Sequence, residues 1–386
     1  MDVFEPARLG PLTLRNRVIK AATFEGMTPE ALVSDDLIEY HRRPAAGGVA
    51  MTTVAYCAVS PEGRTERGQI WMRPEAVPGL RRLTDAVHDE GAAASAQIGH
   101  AGPVADASSN KLPAISAGRF FNPLGMAFTK VATAEDIARI TRAHAEAARL
   151  AIESGFDAVE MHFGHNYLAS SFLSPRLNRR KDAYGGPIEN RARVALGIAR
   201  AVRDEVGDRI AITGKLNMRD GVRGGLEIDD SLYVARKLQE EGTVDALELT
   251  AGSSLLNPMY LFRGPMPIPE FAASYKLPMR IGLRMFGKQF LRVYPYQDAY
   301  LLEHARKFRA ELDLPLILLG GITDRETMDK AMEEGFQFVA MARALLREPD
   351  LVNRIAADPS TPSLCSHCNY CVPTIYKGTH CPLIPT

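Results

Sequence analysis

The chain has 386 residues, 46% apolar and 24% charged, with 46 Lys and Arg balanced by 46 Asp and Glu. That balance is ordinary for a globular enzyme, and with no net charge to draw nucleic acid or an anionic membrane, neither is expected as a partner. The opening Met1-Asp2-Val3-Phe4-Glu5-Pro6 lacks the basic and apolar regions of a secretion signal, and no apolar run approaches membrane-spanning length, which predicts a cytoplasmic protein.

Short apolar runs predict strands at 18–23, 50–56, 93–98, 158–162, 210–216, 246–250, 316–319 and 338–341. Longer helical patterns separate them. One spans 134–154, with Thr133 and Asp136 spaced as a cap pair; another spans 229–241 and ends at Gly242. Eight strand–helix units predict a (β/α)8 TIM barrel over residues 1–360, with an open doubly wound sheet as runner-up. The longest irregular stretch, 252 to about 295, carries prolines at 258, 265, 267, 269 and 278 and several aromatics, and reads as a substrate-shaping excursion. A cysteine-rich tail, 361–386, follows the barrel.

Barrel enzymes place their chemistry at the C-terminal ends of strands. The fourth predicted strand ends in His162-Phe163-Gly164-His165-Asn166-Tyr167, poor core material and good proton chemistry. His162 and His165 admit a metal-binding, a structural and a carbonyl-binding reading. In the last, two N–H donors stabilise charge gathering on a substrate oxygen, and Tyr167 supplies a proton. Gln97 ends the third strand with a donor and an acceptor side by side. Lys215 ends the fifth, either as a fixed positive charge or, with a lowered pKa, as a Schiff-base nucleophile in a flavin-free aldolase. Gly320-Gly321 and Ala342-Arg343 follow the seventh and eighth strands, where barrels often hold phosphate. Gly282 to Gly287-Lys288 has Walker A spacing, but Gln289 replaces the magnesium-binding Ser or Thr and no strand precedes it.

The H-x-x-H-x-Y string, with Asp182-Ala183-Tyr184-Gly185-Gly186, Glu189-Asn190-Arg191 and the Q-x-x-H-x-G string at Gln97, resembles the old yellow enzyme family of FMN-dependent reductases. The resemblance implies FMN held by Ala22, Thr23, Tyr56, Gln97, Lys215, Gly320, Gly321, Ala342 and Arg343. It also implies NAD(P)H as reductant and, as substrate, an α,β-unsaturated carbonyl compound such as an enone, enal or enoyl thioester, with His162 and His165 on its oxygen and Tyr167 as acid. Lys215 stands where the family usually has Arg, Phe24 where many relatives have Thr or Cys, and Gly26 where some have a substrate-gripping tyrosine.

Cys365, Cys368, Cys371 and Cys381 have the spacing C-x2-C-x2-C-x9-C, which suits a [4Fe–4S] cluster or zinc. The tail's position resembles that of dienoyl-CoA reductase and trimethylamine dehydrogenase, which place a [4Fe–4S] cluster there. A homo-oligomer, an electron-transfer partner for such a cluster, and a catalytically silent, metal-stabilised interaction module stay open at this point.

Overall fold

Runs such as Met51–Ala58 and Ala211–Asn217 are buried at every residue. Parallel strands require this, because helices cover one face and the barrel interior the other. In the computed structural model, which describes residues 1–123 and 125–384, eight such strands close into a barrel. They are β1 (Val18–Lys20), β2 (Met51–Ala58), β3 (Ala93–Gly99), β4 (Ala158–Phe163), β5 (Ala211–Asn217), β6 (Ala246–Thr250), β7 (Leu316–Leu319) and β8 (Phe338–Met341). β8 pairs in parallel with β1 and completes the ring, so the open doubly wound sheet is excluded. All eight predicted strands are present. β1 is shorter than expected, and residues 21–24 leave the sheet to line the space above it.

The helices pack outside: α1 (Asp35–Ala46), α2 (Val77–Asp89), α3 (Ala134–Glu153), α4 (Arg193–Val206), α5 (Ile228–Glu240), α6 (Leu302–Glu311), α7 (Arg325–Glu333) and α8 (Leu351–Ala357). None among the described residues is long and apolar enough to cross a membrane. Below the barrel, a hairpin pairing Ala7–Leu9 with Leu12–Leu14 drives Leu9 and Leu14 against Ala158, Ala211 and Ala246, the first residues of β4, β5 and β6. Those alanines leave room for the plug, so the N-terminal end is closed and the C-terminal end is the open one.

The stretch after β6 contains three helices, Met259–Phe262, Ile268–Ala273 and Met279–Phe290. Met259, Phe271, Leu283 and Leu291 form a separate apolar cluster there, joined by Val372 from the tail. The last of the three, hereafter the roof helix, closes over the open end of the barrel. The last two residues of the expected tail lie outside the described residues.

The capping pair predicted for α3 forms on both sides: Thr133 Oγ1 accepts from Asp136 N–H at 3.1 Å, and Asp136 Oδ2 from Thr133 N–H at 2.9 Å. Thr133→Ala should cost about 1 kcal/mol in urea unfolding, and Thr133→Ser almost nothing.

Candidate active site

A cavity of about 450 Å³ sits over the C-terminal ends of the strands. Thr23, Tyr56, Gln97, His162, Lys215 and Arg343 reach it from six different strand ends, with Ala22, His165, Tyr167 and Ala342 beside them. Ten of the residues expected at a site thus share one cavity. Gly320 and Gly321 do not wall it. Both have left-handed backbone (φ 99° and 78°), and a Cβ on Gly321 would lie 2.7 Å from Ala299 N. Glycine there serves the close approach of segment 297–300, while Leu319 meets the cavity.

Beneath the floor lies a buried charge cluster. Parallel register sets Lys215 beside Glu248 and His162, and Glu160 beside Gln97. Lys215 Nζ is 2.6 Å from Glu248 Oε1 and 3.0 Å from Glu160 Oε1, and Gln97 Nε2 donates to Glu160 at 2.6 Å. Burial alone would lower the lysine pKa, but the two carboxylates more than offset it and hold it at about 12. The expectation of a neutral, nucleophilic Lys215 is therefore corrected: it is a permanent cation. Burial raises Glu248 to about 7, against the pull of Lys215. A second cluster stands behind Thr23. Burial lowers Lys20 to about 8, and Glu25, raised by burial to about 8, accepts from Ala55 N–H at 2.7 Å and lies 3.0 Å from His41 Nε2.

The loop after β4 is held in place by its neighbours. His165 and Asn166 both have left-handed backbone (φ 57° and 59°), a conformation that persists only where surroundings enforce it. Here His165 N–H donates to Asn217 Oδ1 at 3.1 Å and His165 Nε2 meets Thr250 Oγ1 at 2.9 Å. Gly164 N–H donates to His162 Nδ1 at 3.1 Å, so neutral His162 carries its proton on Nε2. Burial, then His165 and Lys215, pushes the His162 pKa well below its usual value; burial and Lys215 bring His165 to about 3. Both rings are neutral at physiological pH. Tyr167 stacks on His162 at 4.3 Å, and burial raises its phenol so that it stays protonated.

The tail folds back onto this cavity, which the sequence did not suggest. Thr379 N–H donates to Glu25 O at 2.7 Å, and Tyr376 meets Phe24 edge to face at 5.6 Å. A side chain on Gly26 would collide with the carbonyl oxygen of Ile375. Tyr376 and Tyr275 line the cavity, and no motif marked either one. Glu160 and Glu248 were also missed, although each is a lone carboxylate within an apolar strand run, a readable sign of a buried ion pair.

Cys365, Cys368, Cys371 and Cys381 are free thiols around one small cavity of about 20 Å³, with Arg343 and Asn369 in its wall. Among the described residues no three His, Cys, Asp or Glu converge on a single metal-ion position. Asn369 anchors the loop: it donates to Arg263 O and Pro265 O and accepts from Arg343 Nη1 at 2.6 Å. Cys371 walls both cavities.

The profile of the NADH:flavin oxidoreductase / NADH oxidase family matches residues 2–253. A 4,4'-dithiodibutanoate disulfide reductase from Rhodococcus erythropolis is 53% identical over 98% of this chain and 94% of its own. A 2-naphthoyl-CoA reductase structure superposes with TM-score 0.84 at 24% identity, over 98% of this chain and 56% of that one. An old yellow enzyme homologue from Zymomonas mobilis gives 0.75 at 19%, over 96% of both. These two structural likenesses speak to the fold alone. The chain spans about half the length of several further curated relatives.

Replacing Lys215 with Met leaves two buried carboxylates without a cation and should cost about 3–5 kcal/mol in urea unfolding at pH 8. Lys215 is what holds Glu248 down to about 7, so in the variant Glu248 is raised further and takes up its proton at higher pH; the deficit should be largest at alkaline pH and shrink as pH falls toward about 7, below which the parent's Glu248 is protonated as well.

Proposed function

The chain belongs to the NADH:flavin oxidoreductase / NADH oxidase family, the old yellow enzymes, and from that premise we propose that it is an FMN enzyme that oxidises NADH or NADPH and reduces the activated C=C bond of an α,β-unsaturated carbonyl compound. The observation that carries this reading is the meeting of His162, His165 and Tyr167 with Gln97 and Lys215 in one largely apolar cavity. The cavity's volume is within the range of cofactor sites. Among the described residues Gln97 keeps one amide N–H and its carbonyl free of other bonds, for a hydrogen-bonding ring edge. Lys215 supplies a fixed cation, and Arg343 a cation for a phosphate, while Ala22, Thr23, Tyr56 and Ala342 complete the wall. FMN, when bound, supplies two-electron transfer, in alternation, between the nicotinamide and the second substrate.

The side chains do the rest. The neutral imidazoles of His162 and His165 hydrogen-bond the carbonyl oxygen and stabilise negative charge gathering there as the double bond is reduced. Their low pKa values leave them unprotonated at physiological pH, so neither holds an imidazolium proton to give. Tyr167, protonated throughout the physiological range, delivers the proton to Cα from its Oη. Phe262, Tyr275 and Tyr376 exclude water above the reacting bond. Cys365, Cys368, Cys371 and Cys381 would hold a [4Fe–4S] cluster, which supplies one-electron transfer.

A second reading is favoured by the relative named as a 4,4'-dithiodibutanoate disulfide reductase. Two electrons delivered to an S–S bond release one sulfur as thiolate and leave the other bound to hydrogen. The same Tyr167 proton would neutralise the thiolate, so NAD(P)H, a proton and one disulfide give NAD(P)⁺ and two thiols.

Anaerobically purified protein should show flavin bands that bleach with NADH or NADPH and return on adding either 2-cyclohexenone or 4,4'-dithiodibutanoate. The substrate that restores them faster decides between the two readings; a protein that neither carries nor takes up FMN overturns both. Tyr167→Phe should slow that return by on the order of a hundredfold while leaving the bleaching rate unchanged. Equal slowing of both phases removes the acid role. Metal analysis should find about four irons per chain, lost in Cys371→Ser; zinc or no metal would overturn the cluster.

A further inference from the structure

The neutral total conceals one strongly charged segment. Residues 271–297 carry five Lys and Arg and no Asp or Glu. Lys276, Arg280, Arg284, Lys288 and Arg292 recur every fourth residue, three within the roof helix and two just beyond its ends. That spacing aligns the three within the helix, Arg280, Arg284 and Lys288, along one side. Arg280 ties back to Tyr275 O and Ala273 O at 3.0 and 3.1 Å. The side chains of the other four make no hydrogen bond or ion pair among the described residues and are exposed.

The apolar side chains between these cations are exposed as well. Ile281 is 52% and Met285 67% exposed on the outer face of the helix, and Leu277 and Val293 extend the strip at 67% and 64%. On the inner face Leu283 and Gly287 are buried and wall the cavity. A methyl group on Gly287 would lie 3.1 Å from Ile268 Cγ2, so the helix is packed tightly onto the helix below and cannot turn its apolar strip inward.

We infer that the roof helix is an interfacial element that seats this protein on an anionic lipid bilayer. Cations set between exposed apolar side chains match a surface that is anionic at its headgroups and apolar just beneath. A second copy of the chain is a poor occupant, because a two-fold contact of this face with itself would bring both sets of cations together. The neutral total from which no membrane partner was expected does not bar this contact. Attraction to a charged surface is decided within a Debye length, so a local patch outweighs the molecular total. The helix that would lie on lipid is also a wall of the cavity, which puts an apolar substrate dissolved in the bilayer beside the site. This inference holds whichever substrate the cavity takes.

The test uses the full FMN-loaded chain and co-sedimentation with sucrose-loaded vesicles. It should bind vesicles of equal parts phosphatidylglycerol and phosphatidylcholine at low salt, release at high salt, and ignore pure phosphatidylcholine. Each cation near such a surface contributes roughly fivefold, so Arg284→Gln with Lys288→Gln should lower partitioning roughly 25-fold. Ile281→Ser with Met285→Ser should weaken binding several-fold and leave its salt dependence intact. Neither pair touches the floor of the cavity, so NADH oxidation without vesicles should equal that of the parent and confirms that the variants are folded. Absence of binding to anionic vesicles, or variants that bind as the parent does, overturns the inference. So does a dimer in solution that both variant pairs dissolve, which would assign the face to a second copy.

Discussion

A lysine buried between two glutamates, under the floor of a cavity, constrains much of what surrounds it. An ammonium group and two carboxylates out of water are costly unless each is paired, and Lys215, Glu160 and Glu248 lie within hydrogen-bonding distance of one another. The pairing depends on the stagger of three adjacent parallel strands, which puts their side chains at one level of the barrel. Gln97 is drawn in as a fourth member through Glu160, so its amide is oriented before any ligand arrives. The cation also acts upward. It helps to keep His162 and His165 neutral, and neutral imidazoles are the form that can donate to a carbonyl oxygen without becoming proton sources.

The upper half of the cavity is built from segments distant in sequence. The tail crosses the end of β1, and two of the residues that set this chain apart gain a reason from it. Gly26 has no side chain because the Ile375 carbonyl occupies that space, and Phe24 is aromatic where Tyr376 packs against it. Asn369 holds the cysteine loop to Arg343 and to the stretch after β6. The cysteine pocket and the cavity therefore share walls through Arg343 and Cys371.

Charge is distributed unevenly in a chain whose total is zero. Opposite charges are internal at the barrel floor, where they neutralise each other. Like charges are gathered on the roof helix, where they face outward. Both arrangements are invisible to a sum, and both bear on how a substrate is met.

Much of the fold and part of the site were legible in the sequence. Alternating apolar runs and helical patterns are local signals, and they located all eight strands, α3 with its capping box, and α5. His162, His165 and Tyr167 were found because one strand end carries all three within six residues. Strand-end reasoning then brought Gln97, Lys215 and Arg343 to the same rim. The protonation state of Lys215 was not legible, since it depends on Glu160 and Glu248, which are 55 and 33 residues away and become neighbours only when the strands take their register. Tyr376 was not legible either, because nothing local marks a tail that returns across the barrel mouth, whereas Tyr275 lies in the stretch already read as a substrate-shaping excursion. The identities of residues and the periodicities between them are properties of the chain; which charges share a buried volume, and which segments enclose it, are set by closing the barrel and packing the tail upon it.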